Sequence, residues 1–501
     1  MIARRVTRAT RGSLHGRLWP LLFVLSVGCL SGPPSRPTNL AAGDLSYLKE
    51  YMTWYMRKSM DAGELTGLSF ALVDADGPLW TGGLGFADRE AGLPADERSI
   101  YMVASISKMI TAAAVMQLRE RGKLNLDAPL ARAIPEFRIR SRFAASAEPA
   151  ASGVTLRNIL SHHSGLPSDY LYGFYYRRTQ APADLREGFL MLPDLLGDEY
   201  LSASPGRLFA YSNLGYSLAG LAVAHIAAAS ENENASFGAF ENYIQTNLFA
   251  PLRMPDSSFA PPKTPTFSAP GGRVYAQAYA AGARVPAPAL RDLPAGGLFS
   301  SAADLGNFTR MLLNQGRGPG ENARILAPDS VREMLSIQNA GATLDGEFQI
   351  GAGLFLRPRE FTGVVTAGHG GDLPPFHASV MFSPDLGLGA VVLTNSSSSS
   401  ADMNQIAGEF LRAAVEARSG SKASPRRALP PALSAARRAA CDDCARYASY
   451  AGEYEAGFGI LRVLYEADEP ANLFLEIQGS RLEMIPRVGG DFSVQYRLLG
   501  L

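Results

Sequence analysis

The pattern of apolar and polar positions divides the chain into a sheet-forming beginning, a helical and loop-rich middle, and a second sheet-forming stretch. The segment "LSFALVDADGPLWTGGLGFAD" (68–88) predicts two strands around a turn at Asp76-Gly77-Pro78. A helix follows. In "VASISKMITAAAVMQLRERGKL" (103–124), Ala114, Met116 and Leu118 keep helical spacing, and Gly122 predicts a stop near residue 121. Residues 125 to 340 mix short helical patterns with Pro/Gly loops. Strand patterns return at "FTGVVTAGH" (361–369), "FHASVMFS" (376–383) and "LGAVVLTN" (388–395), before a helix at "MNQIAGEFLRAAVEA" (403–417).

Strands at both ends of a region with helices between them predict one antiparallel sheet built from the two ends, flanked by helices, with a helical subdomain inserted. This is a mixed α/β (α+β) fold. After it, "RSGSKASPRRALPPALSAARRAA" (418–440) reads as a basic Pro/Ala-rich linker, and the last sixty residues alternate like short β-strands. The expected organisation is a leader over 1–29, a tether over 30–44, the main domain over 45–417, a linker over 418–444 and a small β-rich domain over 445–501. No internal repeat is visible.

Composition fits this division. With 501 residues, 47% of them hydrophobic, the chain has material for one large domain and a smaller one. Gly 50 and Pro 33 match a loop-rich fold rather than a helical bundle. Lysine and arginine total 47, as do aspartate and glutamate, so no net field draws in nucleic acid.

At the N-terminus, Arg4, Arg5, Arg8, Arg11 and Arg17 precede the apolar run "LWPLLFVLSVGCL" (18–30), which is short for a membrane span. Small residues before the lone Cys29, then the Pro/Ser stretch "SGPPSRPT", resemble a bacterial lipoprotein signal with Cys29 as the lipidated residue. The other reading is an ordinary signal peptide. Both predict export, and the first adds membrane attachment. Cys441 and Cys444 form a single C-x-x-C, two ligands where zinc takes four, so a local disulfide or two thiols are the alternatives.

Chemistry concentrates at three places. Lys108 interrupts an otherwise small or apolar run three residues after Ser105, and on a helix these two share a face while Ser107 points elsewhere. A serine on the first helical turn meets the positive end of the helix dipole. A lysine in an apolar pocket loses part of its preference for charge and becomes a base near neutral pH. By itself the spacing also fits a snorkelling lysine. "SPGRLFAYSNLGYSLAG" (204–220) sets Tyr211-Ser212-Asn213 before a helix. "AGHGGDLPPF" (367–376) sets His369-Gly370-Gly371 at the edge of a strand, where glycines admit another backbone.

S-x-x-K, Y-S-N and H-x-G, in that order, resemble the serine β-lactamase and penicillin-binding protein superfamily, most closely its class C β-lactamase, carboxypeptidase and esterase branch (peptidase family S12). The similarity takes in about residues 45 to 415, with "LRNILSHHSGLP" and "LPAGGLFSSAADLGNF" among the supporting stretches. The resemblance implies Ser105 as nucleophile of an acyl-enzyme, with Lys108 and Tyr211 moving its proton. Asn213 would hold Lys108 and the substrate amide, and His369 would line the opposite wall with Gly371. The backbone N–H groups of Ser105 and Asp372 would form the oxyanion hole. It implies no metal or organic cofactor and a small-molecule or peptide substrate. The six histidines give no zinc motif: His15 is in the leader, His162 and His163 are adjacent in a turn, and His225 lies in an alanine-rich helix.

Many β-lactamases carry Lys-Thr-Gly where this chain has His369-Gly370-Gly371. The change removes a permanent cation and a hydroxyl, and Asp372 adds a negative group nearby. Pro374-Pro375 alters the rim. These departures lean toward esters or amides without a free carboxylate, ahead of a true β-lactamase or D-Ala-D-Ala carboxypeptidase. A non-catalytic penicillin-binding sensor or cell-wall module is the third alternative, and the intact Ser105, Lys108 and Tyr211 weigh against it.

Overall fold

Apolar residues on alternate positions of the segment 67–74 fix two faces at once, because successive strand side chains point to opposite sides. Leu68, Phe70 and Leu72 belong to one buried cluster, Ala71 and Val73 to another. The computed structural model describes residues 32–143, 153–167, 185–260, 274–320, 323–342, 349–361, 364–397, 403–421, 444–456, 459–466, 473–477, 480–486 and 492–495. The leader with Cys29, Cys441, and most of the expected linker lie outside them.

Helix α1 (Ser46–Gly63) precedes the hairpin of β1 (Gly67–Asp74) and β2 (Pro78–Asp88), with short β3 (Leu93–Pro94) beside it. Helices α2 (Ser107–Glu120), α3 (Asn213–Ser230) and α4 (Ala302–Leu313) belong to the insertion. The sheet resumes with β4 (Gln349–Ile350), β5 (Phe355–Phe361), β6 (Val364–Leu373), β7 (Phe376–Ser383) and β8 (Leu388–Thr394), and α5 (Met403–Ser419) follows. The eight strands run in the order β3-β2-β1-β8-β7-β6-β5-β4. β1 and β8 pair antiparallel, Leu68 opposite Thr394, so the two ends of the domain join at the sheet centre as expected.

One face of the sheet is covered by α1 and α5. Met52 and Met56 pack there with Leu68, Phe70 and Phe410, and the Phe70, Trp80 and Phe410 rings meet edge to face at 4.6 to 5.7 Å. The other face carries the helical insertion. Helix α2 is buried from Ser107 to Leu118, which explains a sequence apolar nearly all round.

Two features differ from the expected organisation. Part of the 30–44 stretch is docked: Arg36 pairs with the buried Glu416, Leu40 is buried, and the Gly43 N–H donates to the Ala417 carbonyl. The strand carrying His369 does not end there. It continues to Leu373 paired with β7, whereas its pairing with β5 stops at Gly368, so from His369 onward one edge of the strand is open.

The C-terminal region forms a separate five-stranded antiparallel sheet, β9 (Gly452–Ala456), β10 (Gly459–Tyr465), β11 (Leu473–Ile477), β12 (Ser480–Pro486) and β13 (Phe492–Gln495), each strand beside the next. Tyr447, Val463 and Leu473 form its small core. Among the described residues no helix is long and apolar enough to cross a membrane.

Candidate active site

Ser105 is delivered by a local strain. Ala104 adopts φ +49°, a left-handed conformation that costs a residue with a Cβ about 1 kcal/mol or more. It opens a single 3₁₀ turn (Ala104–Ile106) that runs straight into α2, so Ser105 stands at the helix entrance. Ser107 serves the scaffold: its hydroxyl donates to the Ala104 carbonyl (2.6 Å) and accepts from the Leu298 N–H (3.0 Å).

Lys108 is fully buried, yet its Nζ meets three oxygens. Asn213 Oδ1 lies at 2.6 Å, the Ala295 carbonyl at 2.8 Å and Ser105 Oγ at 3.0 Å. The first two are acceptors only and engage two N–H bonds. The third position faces the serine: an ammonium donates to it, and a neutral amine turns its lone pair toward it. The Tyr211 and Tyr216 rings lie 4.8 and 5.6 Å from Nζ, favouring a positive charge that develops there.

Tyr211 donates its hydroxyl to Ser105 Oγ at 2.8 Å. Its segment is pinned to the turn at 162–165, because Ala210 N–H donates to the His162 carbonyl and Gly206 N–H to that of His163, both at 2.8 Å. Ser212 then caps α3 by accepting from Gly215 N–H (2.9 Å), which places Asn213 on the first turn.

His162 is a site residue that sequence reasoning left aside. Its ring stacks on Tyr211 with centroids 4.2 Å apart, and Nδ1 accepts from the Ser212 N–H at 3.1 Å. Burial and the nearby Lys108 charge hold its pKa well below the usual histidine value. Phe355 on β5 is another omission: its ring lies parallel to Tyr211 at 6.5 Å and 4.8 Å from His369.

His369 stands where the resemblance implies a lysine in many β-lactamases. Its Nδ1 lies 2.5 Å from the Gly370 carbonyl, which can only accept, so Nδ1 carries the proton. Burial, then Lys108, pushes the pKa down to about 3, leaving the ring neutral at physiological pH. Nε2 is therefore an acceptor, buried and without a hydrogen-bond partner among the described residues. The wall that His369 forms therefore carries no cation.

The remaining candidates divide. Gly371 is where β6 touches the nucleophile segment: a Cβ there would sit 2.2 Å from the Val103 carbonyl oxygen, so only glycine fits. A Cβ at Gly370 would meet the Asn404 amide of α5 at 3.3 Å, which aims that position at the helix covering the sheet's other face. The expectation that Asp372 places a negative group at the site is corrected. Alternation along β6 turns its side chain away from the face of His369 and Gly371; it is 77% exposed and sits 3.2 Å from His377 Nδ1. Only its backbone remains beside the site. Of the other histidines, His163 bonds the Ser161 carbonyl and His225 pairs with Glu136, each at 2.6 Å. Among the described residues no three of His, Cys, Asp and Glu cluster as metal ligands.

Comparison with known proteins bears on the family and the fold. The Beta-lactamase family profile matches residues 53–413. Protein flp of Staphylococcus aureus is 24% identical over 343 residues, which is 67% of this chain; the match spans 61% of that relative's length. The uncharacterized protein MT1414 of Mycobacterium tuberculosis is 29% identical over 327 residues, 60% of this chain and 76% of its own. Among solved structures, the octameric penicillin-binding protein homologue of Pyrococcus abyssi superposes with TM-score 0.59 at 22% identity, covering 90% of this chain and 94% of that one. SurE with D-Leu gives TM-score 0.61 at 23% identity, covering 90% and 91%. EstCE1, a hydrolase with promiscuous acyltransferase activity, gives 0.53 at 18%, covering 73% and 97%. These likenesses carry the fold, and the family match carries the assignment: the chain belongs to the Beta-lactamase family, within the serine β-lactamase and penicillin-binding protein superfamily.

Proposed function

We propose that the protein is an exported serine hydrolase that transfers the acyl group of an ester or amide lacking a free carboxylate onto Ser105 and then to water. One observation carries this reading: Ser105 Oγ is met at once by Lys108 Nζ at 3.0 Å and by Tyr211 Oη at 2.8 Å. With two N–H bonds held by Asn213 and Ala295, neutral Lys108 takes the serine proton as Oγ bonds to the substrate carbonyl carbon. The carbonyl oxygen becomes an oxyanion facing the backbone N–H groups of Ser105 and Asp372. The bond to the leaving group then breaks, and that group takes a proton relayed through Tyr211. Water repeats the sequence, releasing the acid and restoring Ser105.

The neutral acceptor at His369 supports the choice of substrate. A neutral imidazole there gives a substrate carboxylate no positive charge to pair with, and costs a neutral substrate nothing. A second reading rests on Arg357 of β5, whose charge acts on His369, and on the D-Leu seen with SurE. In it, peptides ending in a D-amino acid would set their carboxylate against Arg357. Paired substrates separate the two. A neutral ester is expected to show kcat/KM at least about tenfold above its carboxylate-bearing analogue. The reverse preference, abolished by Arg357→Met, would establish the second reading.

Export and attachment through Cys29 belong to the same proposal. Cys29 and Arg36 are seven residues apart, so an anchored chain would hold the α1–α5 side within about 25 Å of the bilayer. Cys29→Ala is expected to move the protein from the membrane to the soluble fraction of a lipidating bacterial host; unchanged fractionation would discard the anchor.

A further inference from the structure

A cavity of about 250 Å³ opens beside the nucleophile segment, on a side that none of the catalytic polar groups lines. Its walls include Met102, Leu290, Leu293, Phe299 and Phe376, with Ala289 exposed at the rim. The charged side chain among its described lining residues, Arg186, sets its guanidinium over the Phe237 ring at 5.9 Å.

The cavity shares its walls with the catalytic segment. Met102 is three residues before Ser105, and Met102 and Phe299 lie opposite each other in a short two-stranded ladder. The intervening Val103 N–H donates to the Leu298 carbonyl at 2.9 Å. Gly297, also in the lining, closes the short helix (Leu293–Gly296) whose Ala295 carbonyl holds Lys108. Phe376 is paired with Leu373 at the end of β6, beyond Gly371 and Asp372.

The cavity lies apart from the groups that would protonate a leaving group. A leaving group needs a proton and must face Tyr211, whose surroundings are His162, Phe355 and His369. None of these four residues lines the cavity. The other substituent of the carbonyl carbon, the acyl chain, is left for the apolar side.

Resting on the hydrolase reading above, we infer that this cavity is an acyl pocket, and that the substrates are esters or amides of apolar carboxylic acids. An apolar cavity of about 150 Å³ accepts benzene, so one of about 250 Å³ accommodates a phenylacetyl group or a straight acyl chain of about six to eight carbons. Each methylene that enters is worth up to about fourfold in binding. The ratio of kcat/KM for p-nitrophenyl octanoate to acetate is therefore expected to exceed about tenfold.

The decisive test avoids turnover. Octanamide and acetamide are titrated calorimetrically into the full-length Ser105→Ala protein and into the Ser105→Ala/Ala289→Trp double variant, in which an indole at the exposed rim fills the mouth. Octanamide is expected to bind the single variant, acetamide not, and the double variant to bind octanamide at least about tenfold more weakly. Absence of octanamide binding, or equal binding by a folded double variant, would overturn the pocket while leaving the hydrolase reading standing. Octanamide binding lost in the double variant, with no ester or amide hydrolysed by the wild type, would uphold the pocket and remove the hydrolase reading.

Discussion

Ser105→Ala is expected to lower ester turnover by about 10⁴-fold or more while the protein keeps its fold. Without Oγ no acyl-enzyme forms, and the residual rate is what binding and backbone polarisation alone provide. Ser105 is half-buried at the mouth of the site, so removing one hydroxyl leaves the apolar core of α2 intact. The hydrogen bonds it makes with Lys108 and Tyr211 are set against the strain already held at Ala104. The unfolding free energy is expected to change by only about 1 kcal/mol. Initial rates with an activated ester and a urea titration, side by side, check both halves.

Lys108→Met keeps the unbranched stem and removes the amine. The expected loss is about 10³-fold in kcat/KM, the scale of a missing general base. Stability follows different arithmetic. Asn213 Oδ1 and the Ala295 carbonyl lose a donor, at roughly 1–3 kcal/mol each. Against that, an amine held fully buried is replaced by an apolar thioether, relieving a desolvation penalty of several kcal/mol if the group is charged. The opposing contributions are similar, so the melting midpoint is expected to stay within about 5 °C while the rate collapses. Arginine at 108 would not restore activity, since its planar guanidinium cannot serve as a base. A methionine variant keeping a tenth of the wild-type rate would remove Lys108 from the base role.

The sheet and the central site were legible in the sequence for different reasons. Alternation at 68–74 and 388–394 marks strands wherever they pair, and the pattern's return after a long helical interval predicts a sheet joining both ends. Ser105 and Lys108 were legible because i and i+3 meet on a helix whatever surrounds it. Tyr211 and Asn213 needed the resemblance, since nothing local brings them to residues more than a hundred positions away.

What escaped was decided by tertiary contact or by a single step of strand alternation. His162 looks like any turn histidine until the 206–212 segment closes over it. Phe355 reaches Tyr211 only through the pairing of β5 with β6. The left-handed Ala104 has no sequence signature, since such positions usually hold glycine. The Asp372 carboxylate is close to His369 along the chain, yet one residue along a strand reverses the face, and only the backbone N–H that the resemblance implies for the oxyanion hole stays beside the site. The docking of Arg36 on Glu416 joins positions 380 residues apart, beyond any local pattern in a Pro/Ser-rich stretch.

Every step of the proposed hydrolysis passes through a covalent bond at Ser105. Its most direct test is an acid quench of the full-length protein within seconds of mixing with excess p-nitrophenyl acetate, followed by intact mass and peptide mapping. One acetyl group per chain is expected, on the peptide carrying Ser105, and none in Ser105→Ala. Hydrolysis proceeding with no adduct at any quench time, and persisting in Ser105→Ala, would contradict it.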